Sequence, residues 1–172
     1  MDRITLTGRI SFEPEDRTKK HKSQSSWKKM AMVFLDGDIC EYYSWFIMQR
    51  YKLKLNKPLR GAHISFINDS MVDLTQNGKI TEEDALNKWV EVKKKWDGNR
   101  VSIVLDLNPK TDDRTWWLNI PHEEREVLQS IRTELGLGKP FFGMHMSIGY
   151  ANEFNIEHSC YLHESIKKGF IQ

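Results

Sequence analysis

The sequence predicts an α+β domain whose strands form an antiparallel or mixed sheet. Three observations carry this expectation: some segments alternate apolar and polar residues with a period of two, others repeat apolar residues at helical spacing, and the two kinds are interleaved along 172 residues. A chain of that length can bury a core without disulfides or metals, and residues 1–172 read as one domain.

Ile4, Leu6, Ile10 and Phe12 mark an opening strand, with Gly8 breaking the pattern. Residues 17–29, RTKKHKSQSSWKK, are polar and aperiodic and read as a loop. Met30 to Leu35 is apolar enough for a second strand, which makes a hairpin around a long basic loop. After the Asp36-Gly37 turn, residues 38–51 are apolar on several faces and suit a buried helix. Gly61 to Ile67 is the next strand. Thr81-Glu82-Glu83-Asp84 is close to a capping box, and Ala85, Leu86, Trp89, Val92 and Trp96 follow at helical spacing until Asp97-Gly98-Asn99. Val101 to Leu107 and Trp116 to Ile120 are strands joined by a polar loop. Pro121 stands where a first helical residue belongs, with Glu123 and Glu124 in the first turn of a helix running to about Leu135. Phe141 to Tyr150 is the last strand, and the mixed tail from Ala151 is assigned to no element.

Hydrophobic residues at 39% and charged residues at 29% describe an ordinary soluble globular chain. A formal net charge of +2 does not by itself indicate a nucleic-acid or membrane-surface protein. Cys40 and Cys160 make neither a disulfide framework nor a metal-ligand spacing, which points to a reducing compartment. No apolar run approaches the roughly 20 residues of a membrane helix. The alternating opening MDRITLTGRI lacks the apolar segment of a signal peptide. The expected location is the cytoplasm of the cell that makes the protein.

The tripeptide His-x-Ser occurs at His21, His63, His145 and His163. Two copies share a longer context: Gly61-Ala62-His63-Ile64-Ser65-Phe66 and Gly143-Met144-His145-Met146-Ser147-Ile148 both read glycine, apolar, histidine, apolar, serine, apolar. From composition, that pattern arises at roughly one histidine in 4000, counting template matches. On a strand, His and Ser at i and i+2 point to one face while the apolar residues enter a core. One such segment alone reads as a core strand with a satisfied polar residue. A matched pair reads as a site. The copies at His21 and His163 lie in the basic loop and the polar tail, without strand pattern.

Two His-x-Ser/Thr strands separated by tens of residues, here 82 between the histidines, resemble the signature of the 2H phosphoesterase superfamily. That superfamily includes RNA 2′,3′-cyclic phosphodiesterases, 2′,5′-oligoadenylate phosphodiesterases and phage anti-CBASS nucleases that degrade cyclic oligonucleotide signals. The resemblance rests on the two motifs and the α+β order. It implies a two-lobed fold with pseudo-two-fold symmetry, antiparallel or mixed sheets, helices on the outer faces and the motif strands in a central cleft. It implies a metal-independent hydrolase without cofactor, working in the host cytoplasm if phage-encoded. Ser65 and Ser147 stand where threonine is frequent, and keep the hydroxyl.

The chemistry suits these residues. Histidine titrates near 6.5, so one imidazole of His63 and His145 can act as base while the other, protonated, acts as acid. The hydroxyls of Ser65 and Ser147 can donate to the nonbridging phosphate oxygens. The motifs are symmetric and do not decide which histidine is the base, nor whether the nucleophile is water or a ribose 2′-hydroxyl. A short chain of near-neutral charge with no second basic domain favours a cyclic di- or trinucleotide, or another small nucleotide phosphodiester, over long RNA. The alternatives are an RNA 2′,3′-cyclic phosphodiesterase and a non-catalytic nucleotide-binding module.

Phe12 and Trp27, in or beside the basic loop, are candidate base-stacking residues; the loop also reads as a solvated connector. Regular alternation puts Tyr150 opposite to His145, in a core or lobe-packing role, unless Gly149 breaks the strand. One of Trp116 and Trp117 faces the core and the other solvent or the cleft. A metal alternative would gather His63 and His145 with Asp69 or Glu153, but no HExxH or paired-cysteine motif supports it.

Overall fold

Period-two alternation becomes a strand when one of its faces finds a cover, and the opening segment does so: Gly8, Ile10 and Phe12 are buried, Arg9 is exposed and Ser11 is half-buried. The computed structural model describes residues 2–14, 28–140, 143–153 and 155. Trp27, His21, His163, Cys160, most of the basic loop and the tail from residue 156 lie outside the described residues. In chain order the elements are β1 (Arg3–Phe12), β2 (Lys28–Leu35), α1 (Ile39–Tyr51), β3 (His63–Ser70), α2 (Met71–Leu74), α3 (Glu82–Trp96), β4 (Arg100–Asp106), β5 (Lys110–Thr111), β6 (Thr115–Asn119), α4 (Glu126–Glu134) and β7 (His145–Tyr150). The class is α+β, with a seven-stranded sheet in the order β4-β1-β2-β3-β7-β6-β5. Every ladder in it is antiparallel.

The sheet is curled. Laid flat, its edge strands would stand about 29 Å apart at ~4.8 Å per strand. Only Leu107, Asn108 and Pro109 connect edge strand β4 to the opposite edge, β5. Four residue steps reach at most about 14 Å, so the edges must approach. The polar face is the concave one: Arg3, on the exposed side of β1, donates to Glu123 just beyond β6 at 2.7 Å. The other face is covered by helices. Trp89 of α3 packs edge-on against Phe12, with ring centroids 5.0 Å apart. Ile10, Val33, Ile64, Leu118 and Met146 from five strands join Ile47 of α1 and Ile131 of α4 in one buried cluster.

Two elements differ from the sequence expectation. Residues 38–51 were expected to form a buried helix, apolar on several faces. Instead α1 buries Ile39, Cys40, Tyr43 and Ile47 and exposes Tyr42 and Trp45, because a helix on the convex side of one sheet has a single face to cover. Pro121 starts a 3-10 turn, His122–Glu124, rather than α4 itself. There Arg125 donates through both Nε and Nη2 to the carbonyl of Ile120, and the α-helix begins one residue later. No helix among the described residues is long and apolar enough to cross a membrane.

Candidate active site

The two matched segments become neighbouring strands. β3 and β7 pair antiparallel with Ile64 opposite Met146, both fully buried. One step to either side of that pair sets His63 against Ser147 and Ser65 against His145. These four side chains therefore share the concave face, while Ile64 and Met146 point into the core. His63 and His145 are diagonal neighbours, whose side-chain roots stand roughly 7–8 Å apart in such a ladder. A phosphate fits between imidazoles so placed.

The glycine of each motif has a role in this geometry. His63 Nδ1 lies 2.9 Å from the carbonyl of Gly61, and His145 Nδ1 lies 2.7 Å from the carbonyl of Gly143. A carbonyl only accepts, so each Nδ1 carries a proton and donates it. In the neutral ring the lone pair is then on Nε2, the nitrogen not engaged by the backbone. Gly61 adopts a left-handed φ of 67°, a conformation available to glycine without strain.

Both motif strands bulge at the residue after serine. In β3 the pairing with β2 steps from Met32–Ser65 to Ala31–Ile67, leaving Phe66 as the extra residue. In β7 the pairing with β6 steps from Trp117–Ser147 to Trp116–Gly149, leaving Ile148 extra. Each bulge shifts the later residues to the other face. Tyr150 is the clearest consequence. It pairs with Thr115 and is 49% exposed, so it lies past the bulge on the concave side rather than in the core that regular alternation predicted. Gly149 is where Leu55 and Asn56 cross β7, and a Cβ there would meet the Asn56 carbonyl oxygen at 2.7 Å.

Burial pushes the His63 pKa below the ordinary histidine value, the Gly61 hydrogen bond opposes this, and the charges of Arg60 and His145 add to the depression. Each imidazole also has an aromatic neighbour from the adjacent strand: Phe34 of β2 at 6.2 Å from His63, and Trp117 of β6 at 6.0 Å from His145. Trp117 Nε1 donates to Asn119 Oδ1 at 3.0 Å, which fixes the indole. On the convex side, buried Cys40 of α1 contacts the Ser147 carbonyl at 3.4 Å, and burial raises its thiol pKa to about 11.

His63, Ser65, His145 and Ser147 thus stand on one face of two paired strands. Phe12 does not join them. It is 3% exposed and packed against Phe66 and Trp89, so it is a core residue that cannot stack on a ligand. Its place in the buried half of β1's alternation is the cause. Trp27 lies outside the described residues. Lys29, counted with the basic loop, instead pairs with Glu13 at 2.8 Å. Of the tryptophan pair, Trp116 is buried and Trp117 takes the concave side. The carboxylates of the metal alternative are engaged by arginines, Asp69 by Arg132 and Glu153 by Arg114. Among the described residues no three His, Cys, Asp or Glu side chains gather at one point. Phe34 and Arg60 were not anticipated. Met30 to Leu35 is apolar at every position, so no pattern in the sequence tells which face Phe34 takes.

No family model, curated protein or solved structure matches this chain.

Proposed function

We propose that this chain is a metal-independent phosphodiesterase of the 2H phosphoesterase type, acting on cyclic oligonucleotide signals in the cytoplasm as a counter-defence enzyme. The observation that carries the reading is the pairing of β3 with β7. It puts two imidazoles and two hydroxyls on one concave polar face, with each Nδ1 held by a backbone carbonyl. The element order adds support. β2–α1–β3 and β6–α4–β7 repeat the same strand, helix and antiparallel strand, as expected of a two-lobed fold with pseudo-two-fold symmetry.

In the proposed reaction, Nε2 of one histidine takes the proton of the attacking hydroxyl, from water or a ribose. The phosphorus–oxygen bond to the leaving group breaks, and Nε2–H of the other histidine protonates the departing oxygen. Ser65 and Ser147 donate to the nonbridging oxygens as charge grows on them. No cofactor enters the scheme.

The test is incubation with cyclic di- and trinucleotides and with 2′,3′-cyclic mononucleotides in excess EDTA, read by chromatography. Turnover of the cyclic oligonucleotides is expected. His63→Ala and His145→Ala should each lose at least about 100-fold in rate. Ser65→Ala and Ser147→Ala should lose less. Loss of activity in chelator with recovery on adding a divalent cation, or near-native rates in both histidine variants, would sink the reading. Turnover of the mononucleotides alone would transfer it to RNA-end chemistry.

A further inference from the structure

The strand registers align a row of side chains across the concave face. Arg9 of β1 lies opposite Phe34 of β2, and Phe34 opposite His63 of β3. On the other side, Ser147 of β7 lies opposite Trp117 of β6, and Trp117 opposite Lys110 of β5. Directly opposed residues of antiparallel strands share a face. The row therefore reads cation, aromatic, the His63–Ser147 pair, aromatic, cation. None of its members is buried. Both aromatic rings are tilted against the imidazoles rather than stacked on them, at 43° for Phe34 and 57° for Trp117.

We infer that this face reads an internal phosphodiester from both sides, with Phe34 and Trp117 each stacking a nucleobase and Arg9 and Lys110 each meeting a neighbouring phosphate. The inference rests on the phosphodiesterase reading and specifies its substrate: a linkage with a nucleoside on each flank and further phosphates beyond. Strands ~4.8 Å apart set each aromatic one strand, and each cation two strands, from the His63–Ser147 pair. That order, phosphate, base, phosphate, is the order of groups along a nucleotide chain. Aromatic platforms beside a basic track are also how single-stranded nucleotides are held without base-specific hydrogen bonds. A 2′,3′-cyclic mononucleotide offers one base and no second phosphate, so it can use only half of the row.

The experiment compares kcat/KM for a cyclic dinucleotide and a 2′,3′-cyclic mononucleotide in the wild type and in Phe34→Ala, Trp117→Ala, Arg9→Gln and Lys110→Gln. Each aromatic truncation should lower the dinucleotide value about 10-fold, mainly through KM. Phe34→Tyr and Trp117→Phe should restore it. At least one of the two truncations should leave the mononucleotide unchanged. Arg9→Gln and Lys110→Gln should each flatten the salt dependence of KM for a cyclic trinucleotide, which carries one further phosphate on each side of the cleaved linkage, and at most one of them should do so for the dinucleotide. Equal losses on both substrates, or none on either, would overturn two-sided reading while leaving phosphodiesterase activity in place. If the wild type cleaves neither substrate, the phosphodiesterase reading fails. Calorimetric titration of the dinucleotide then decides the inference: no binding, or equal binding by wild type and Trp117→Ala, overturns it.

Discussion

Arg132 donates to both carboxylate oxygens of Asp69, at 2.7 and 3.0 Å, from a position that is 1% exposed. The same guanidinium donates to the carbonyls of Phe66 and Gly138. Phe66 is the bulge residue next to Ser65, and Gly138 lies in the connection leading from α4 to His145. One buried cation on α4 thus ties together the two segments that carry the site. The bulge is what makes the pair feasible, because it turns Asp69 to the helix-covered side of β3.

Arg132→Met should destabilise the protein by about 3–5 kcal/mol, since it leaves a largely buried carboxylate and two carbonyls without their donor. Asp69→Asn should cost less, and the double variant less than the sum of the two. Urea unfolding of the four proteins measures this cycle. Below the melting transition Arg132→Met should also lower kcat, through the displaced Ser65. Additive effects in the cycle would show that the two side chains do not act as a unit.

The pH dependence follows from the surroundings of His63. A depressed pKa keeps the His63 imidazole neutral to lower pH, which suits it to the general-base role of the proposed reaction. The acid limb of kcat/KM should therefore lie below the ordinary histidine value. Arg60 and His145 are the charged neighbours that depress it after burial. Arg60→Gln removes one of them and should move the limb upward. A limb above pH ~7, or a downward shift in Arg60→Gln, would reverse the assignment.

Gly149→Ala tests the crossing of β7 by Leu55 and Asn56. The added Cβ would stand 2.7 Å from the Asn56 oxygen and 2.9 Å from Leu55 Cβ, both anchored atoms. A cost of about 1–3 kcal/mol is expected, or about 2–4 °C in melting temperature per kcal/mol for a chain of this size. An unchanged melting curve would mean the crossing segment moves aside freely.

The paired motifs were legible because a strand's period is two: Gly-x-His-x-Ser contains its own instruction for which side chains share a face. Helix α3 was legible from its apolar spacing and starting residues, whereas the expected start of α4 at Pro121 falls on a 3-10 turn and the helix begins at Glu126. The bulge at Phe66 was not legible, since an extra strand residue is defined by the partner's register. Gly149 marked a possible break beside the second bulge, but only the register with β6 shows that Tyr150 turns to the concave face. Phe12 is close in sequence to the basic loop, but its own place in the β1 alternation puts it in the core. The row from Arg9 to Lys110 was invisible for a related reason. Its members come from six strands, and only the pairing order reveals them as neighbours.

The seam between β3 and β7 also has a consequence in time. Ile64 and Met146 are joined across a long stretch of chain, and closing such a loop must await the local pairings on either side. Until β7 joins, the strands β4-β1-β2-β3 carry His63 and Ser65 alone, and β6 and β5 have no strand linking them to that part of the sheet. The four side chains of the two motifs therefore share a face only once that seam has closed.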